Sequence, residues 1–326
     1  MRLFTGRRRN AFAAALVIAA VGVLSSVALA ATAPPLNKLK GSVSADGSST
    51  VGPYATAAAE LFSRAGAKNV RVTVGISGTG GGFDRFCKGE IDLADASRPM
   101  KISEAANCKK NNIGSWRAFT VANDALTVVV NRDNTWATCL SVDELKKIWN
   151  TGSKVNNWKD VRAGFPDEKI KLFGPGTDSG TFDYFTEVIN GKAKASRSDY
   201  GASEDDNVLV QGVSGEKGGL GYFGYSYYEE NQDKLRAVQI RNPKTGNCVA
   251  PSAKAAQNGT YKPLARPLFI YAKGSSFKRP EVQAYLRYIF DNEVAIAKRS
   301  GFISLTPAQL KKARINFDLA VKAANK

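Results

Sequence analysis

Three short loops of glycine, serine and threonine recur in this chain, each following a β-like run and opening a helix-like one. They read Gly47-Ser48-Ser49-Thr50-Val51, Ser77-Gly78-Thr79-Gly80-Gly81 and Asp178-Ser179-Gly180-Thr181. Strands that end in such loops and continue as helices make α/β sheets, whose ligands collect outside the carboxyl ends of the strands. The loops also share a chemistry. Each offers small hydroxyls and unpaired backbone N–H groups at the start of a helix, which suits an oxyanion.

The rest of the chain fits the same alternation. Val43 marks a first strand, and 54–64 is an Ala-rich helix with Pro53 at its first turn, where a missing N–H costs nothing. Val70, Val72, Val74 and Ile76 alternate as a strand, and 83–88 reads as a short helix before a strand at 91–96. A strong β-run at 125–131 precedes a helix at 141–149, with Ser141 as N-cap and Glu144 at the capping-box position. A strand at 170–173 leads into the third loop, and 182–190 is helical up to Gly191. Residues 191–207 are polar and predict a surface excursion, and 218–228 predict a buried aromatic strand and turn. A β-run at 266–272 and a long helix at 282–299 close the pattern.

The first 30 residues predict a targeting signal. Arg2, Arg7, Arg8 and Arg9 precede an uncharged stretch from Ala11, and Ala28-Leu29-Ala30 offers a cleavage site. An uncleaved anchor is the alternative, since ~20 apolar residues can span a bilayer. No cysteine follows the apolar stretch, so a lipid anchor is not indicated, and residues 31–40 form a linker. The signal carries four arginines and no acid, so its removal lowers the net charge from +17 by four, to +13. Such a balance suits an anionic partner, a negatively charged envelope or simply a solvated surface. Nucleic acid is not expected, because the basic residues are dispersed and no recognition signature occurs.

Four cysteines in an exported chain favour two disulfides, read as Cys87–Cys108 and Cys139–Cys248, although two other pairings satisfy the same count. On the loop-entropy estimate these contribute roughly 3 and 4.7 kcal/mol. With no histidine and no C-x-x-C pair, neither a metal site nor a cofactor is expected. The alternation predicts two α/β lobes: 41–121 plus 267–326, and 126–262, with the chain crossing near 122–125 and 263–266. Two loops then fall on the first lobe and one on the second, so a ligand in the cleft would bridge them.

The three loops, together with Ala94-Asp95-Ala96-Ser97-Arg98, the extension Phe182-Asp183-Tyr184-Phe185 and Gly221-Tyr222-Phe223-Gly224-Tyr225, resemble the phosphate-binding proteins of phosphate ABC transporters over nearly all of 41–305. The resemblance implies a two-lobed periplasmic-binding-protein fold of type II, with the ligand in the inter-lobe cleft. It implies a monomer that binds inorganic phosphate without transforming it and delivers it to membrane permease subunits. It also implies that Thr50, the Val51 N–H and Ser49 bind from the first loop. Thr79 and either Ser77 or the Gly78 N–H would bind from the second, and Ser179, Gly180 and Thr181 from the third. Many members carry an arginine shortly before the third loop, where this chain has Pro175 and Gly176, and some carry an aspartate where it has Arg98. Arg98 is therefore expected to supply the cationic fork and Asp178 to accept the ligand's proton. Read without a ligand, Arg98 would pair with Asp92 or Asp95, and Asp178 would cap a helix.

Three other functions compete. One is an exported phosphatase on the same fold, but no G-x-S-x-G elbow or P-loop occurs. Another is an adhesin or signalling protein that kept the fold. The last is a binder of sulfate, arsenate or phosphonate.

Overall fold

The computed structural model describes residues 34–177 and 179–325. The expected signal, the first residues of the linker and Asp178 lie outside them. Strands and helices alternate at first: β1 (Gly41–Gly47), α1 (Gly52–Arg64), β2 (Val70–Gly75), α2 (Gly78–Cys87), β3 (Leu93–Ala96) and α3 (Ile102–Lys110). The long β4 (Trp116–Asn131) follows, then β5 (Cys139–Leu140), α4 (Val142–Trp149), β6 (Lys171–Gly174) and α5 (Gly180–Phe185). Next come β7 (Gly201–Ala202), α6 (Asp206–Gly215), β8 (Gly219–Gly224), α7 (Tyr225–Glu230), β9 (Leu235–Ala237), β10 (Gln239–Arg241), β11 (Cys248–Val249) and α8 (Ala253–Gln257). The chain returns through β12 (Ala265–Lys273) and ends in α9 (Pro280–Asp291), α10 (Glu293–Arg299) and α11 (Pro307–Ala324).

Among the described residues, the larger sheet has the order β2-β1-β3-β12-β4-β8-β6-β7, with β9 also paired to β4. β1 lies parallel to β2 and β3, while β12 and β4 are antiparallel. β4 joins the two halves of the sheet: it pairs with β12 from Trp116 to Ala125 and with β8 from Leu126 to Val130. The hydrophobic core changes hands at the same place. Phe119, Val121 and Ala122 pack with Phe62, Tyr285 and Phe317, whereas Ala125, Leu126 and Val128 pack with Trp149, Trp158 and Tyr222. On β12 the change falls between Ala265 and Leu268. Ile303, between α10 and α11, belongs to the second core, and its backbone exchanges hydrogen bonds with Asn123 at 2.8 and 2.9 Å.

Local chemistry accounts for several boundaries. The capping box at α4 forms as expected: Glu144 N donates to Ser141 Oγ at 3.2 Å and Ser141 N to Glu144 Oε2 at 2.8 Å. The second loop differs from expectation, because α2 begins at Gly78 instead of Phe83. A Cβ on Gly82 would lie 2.5 Å from Gly47 Cα, so the glycines bring this helix directly onto β1. The helix expected at 282–299 is two helices broken at Asn292, whose Nδ2 donates to Tyr288 O at 3.0 Å. The polar segment 191–207 is pinned by Arg197, which is buried. It binds Asp199 with both forks and donates to the carbonyls of Ile148 and Val155 at 3.1 and 2.7 Å. Disulfides join Cys87 to Cys108 and Cys139 to Cys248.

Candidate anion-binding site

β1 and β3 end side by side and set the first loop. Gly47 pairs with Asp95, and Ser48 N donates to Asp95 O at 2.9 Å. A Cβ at Gly47 would lie 2.1 Å from that carbonyl oxygen, so the turn admits only glycine. β3 also carries the second loop, because Ser97 N donates to Thr79 Oγ1 at 3.2 Å and the two hydroxyls lie 3.1 Å apart. Asp46 holds the same loop from behind: its Oδ1 accepts from Ser77 N at 3.0 Å, and its Oδ2 pairs with Arg85.

The third loop comes from the other half of the sheet and touches the first. Thr50 Oγ1 donates to Gly180 O at 3.3 Å. A Cβ on Gly180 would lie 2.7 Å from Thr50 N, so these two backbones meet with no room for a side chain. Ser179 caps α5 by accepting from Thr181 N at 3.2 Å.

Around this junction lies a cavity of about 250 Å³. Ser49, Thr50, Gly78, Thr79, Arg98 and Gly180, all expected from the sequence, line it. Ser179 and Thr181 face an adjoining space of about 910 Å³ that shares Ser49, Thr50 and Gly180 with it. Val51 and Ser77 line neither. Val51 is buried and its N–H donates to Ser48 Oγ at 3.4 Å, while Ser77 is exposed.

The cations are arranged differently from the sequence reading. Arg98 lines the cavity, but its guanidinium grips Glu104 with both arms, at 2.7 and 2.9 Å, and lies 5.7 Å from the Phe83 ring centroid. It pairs with neither Asp92, which binds Arg279 at 2.6 Å, nor Asp95. Burial pushes the Glu104 carboxyl up, but the Arg98 fork and the Lys101 N–H outweigh it and hold it below the usual range. Arg266 is the cation that sequence reasoning missed. Its side chain is 12% exposed, its Nη2 donates to Thr50 Oγ1 at 2.8 Å, and its Nε donates to Asp124 Oδ2 at 3.2 Å. The guanidinium lies 3.5 Å from the centroid of the Tyr184 ring. The signal in the sequence is slight: an arginine that opens an apolar strand needs partners for its charge once folded.

Two acids share the cavity, Asp183 and Glu187. Asp183 Oδ1 is buried without a hydrogen-bond partner, and burial, reinforced by Glu187 against Lys194 and Arg266, pushes its carboxyl up. The cavity thus offers hydroxyl donors, two guanidinium groups and a carboxyl group whose hold on a proton is strengthened by burial. That set can hold a small, partly protonated oxyanion without covalent chemistry.

Comparison with known proteins gives one family. Residues 32–293 match the PBP superfamily domain. Protein SphX of Synechococcus elongatus is 49% identical over 265 residues, covering 81% of this chain and 77% of that protein. The phosphate-binding protein PstS of Staphylococcus haemolyticus is 39% identical over 267 residues, 82% of each. The crystal structure of a possible phosphate binding protein from Planctomyces limnophilus superposes with a TM-score of 0.83 at 48% identity, covering 87% of this chain and 99% of that one.

Proposed function

This chain belongs to the PBP superfamily, in the family of SphX and the phosphate-binding protein PstS, and on that premise we propose that it is an extracytoplasmic receptor for inorganic phosphate. It captures the anion in the cleft and delivers it, unchanged, to the permease of an ABC transporter. The observation that carries this reading is the junction at Thr50, where Gly180 and Arg266 converge on one hydroxyl, at 3.3 and 2.8 Å.

The phosphate oxygens are held by Ser49, Thr50 and the Val51 N–H, by Thr79 with either Ser77 or the Gly78 N–H, and by Ser179, Gly180 and Thr181. Arg266 supplies the main positive charge and Arg98 a second one. Asp178 meets the ligand's proton, and replacing it by Asn should weaken the preference for phosphate over sulfate. Binding requires the Val51 N–H to exchange Ser48 Oγ for the ligand, and closure to turn Ser179 and Thr181 inward.

The lobes of this receptor are 41–121 with 267–326, and 126–262, hinged at 122–125 and 263–266. The change of core along β4 and β12 supports those crossings. No helix among the described residues is long and apolar enough to cross a membrane. The leader at 1–30 directs export, and the receptor acts as a monomer without nucleic acid.

Isothermal titration with phosphate, sulfate and arsenate tests the ligand, and incubation with a phosphomonoester tests for hydrolysis. Tight phosphate binding with no phosphate release is the expected outcome. Absence of phosphate binding, or steady release from the ester, would overturn the reading.

A further inference from the structure

Asp95 belongs to the scaffold behind the anion site, yet its side chain has no structural task. The residue is 1% exposed, and neither carboxyl oxygen has a hydrogen-bond partner. Its backbone abuts the first loop through Gly47 and Ser48, and Ser97, two residues on, holds the second. The groups that face its side chain from the surrounding elements bring no positive charge. Asp46 on β1 is already paired with Arg85 of α2 and adds a like charge. Tyr285 on α9 donates its hydroxyl to Ala55 O at 3.1 Å, so that proton is committed elsewhere. Behind Tyr285 come Tyr54 on α1, whose hydroxyl is buried without a partner, and Glu293 at the start of α10.

An unpaired carboxylate is costly in such a place, so the group keeps a proton. Burial, aided by Asp46, pushes its carboxyl up to about 8. We propose that Asp95 is an alkaline release switch for the anion. With its proton it is a neutral wall behind the first loop, and without it a negative charge stands behind the donors that hold the ligand. The proposal rests on the phosphate reading above. Linkage is reciprocal: if ionisation of Asp95 expels phosphate, bound phosphate holds the proton on Asp95.

The test is a calorimetric titration of wild type and Asp95→Asn with phosphate from about pH 8 to about pH 9.5, where the ligand's own charge is nearly constant. Wild-type affinity should fall roughly tenfold or more over this range, as one linked proton requires, while Asp95→Asn changes less than about twofold. If Asp95→Asn does not fold, wild type decides alone. Titrations at about pH 8.5 in buffers of different ionisation heat should show most of one proton taken up per phosphate bound. Flat wild-type affinity without proton uptake overturns the switch but leaves the phosphate reading intact, and an equal decline in Asp95→Asn does the same. No binding at about pH 8 in either protein overturns both.

Discussion

Arg266 Nη2 donates to Thr50 Oγ1 at 2.8 Å, joining residues 216 positions apart in the sequence. The same guanidinium holds Asp124 and covers the Tyr184 ring, so one side chain touches β4, the first loop and α5. β12, β4, the first loop and α5 therefore meet at a cation. A dianion entering there finds its counter-charge already placed, and the backbone need not rearrange to supply it.

Removing that cation should be the most damaging change in the site. Arg266→Ala is expected to weaken phosphate binding by ~2–3 kcal/mol, about 30- to 150-fold, since charge-assisted hydrogen bonds are lost. It should also lower stability by a few kcal/mol, because the buried Asp124 loses its partner. Arg266→Lys should recover part of the affinity but not the two-armed geometry. Calorimetry and urea unfolding of the three proteins would show these separations.

Arg98 should matter less. Glu104 takes both arms of its guanidinium, whereas Asp124 takes only the Nε of Arg266, so Arg98→Ala is expected to cost phosphate affinity about 1 kcal/mol or less, a factor of five at most. A loss equal to that of Arg266→Ala would reverse the order proposed for the two cations.

Gly180→Ala tests the contact between the first and third loops. The added Cβ would sit 2.7 Å from Thr50 N, and overpacking of this kind costs ~1–3 kcal/mol. That cost should appear in closure and therefore in affinity, as a roughly tenfold loss or more. Thermal unfolding without phosphate should change by only a few degrees.

Stability should depend on pH through Glu293. Burial pushes its carboxyl up to about 7, partly opposed by the Leu305 N–H. The folded chain then holds a proton that the unfolded chain has lost, so stability falls as pH rises from the ordinary carboxyl range to about 7. Glu293→Gln keeps an acceptor for Leu305 N and should flatten that fall by ~2–3 kcal/mol. Urea melts between about pH 4.5 and about pH 7.5 would measure it; equal slopes in the two proteins would contradict it.

The parts of this fold legible in the sequence are those governed by local chemistry. Ser141 and Glu144 announce their helix because a capping box is a four-residue interaction. Val70 to Ile76 announces a strand because alternation is read within one element. What was not legible depends on distant partners. Gly78 to Gly82 read as loop because glycine favours turns, yet the close approach of β1 makes them helical. The start of β4 at Trp116 is fixed by pairing with Lys273, far along the chain. Arg266 looked like one more strand residue, since Thr50, Asp124 and Tyr184 surround it only after folding. Within the site, sequence could name the hydroxyl loops but not the ion pairs that distinguish Arg98 from Arg266.

The most direct test of the account is one calorimetric comparison, phosphate titrated into wild type and into Arg266→Ala at neutral pH. The account predicts one phosphate per chain, bound by wild type at about micromolar Kd or tighter and at least ~30-fold more weakly by the variant. Absence of binding by wild type, or equal affinity in the two proteins, would contradict it.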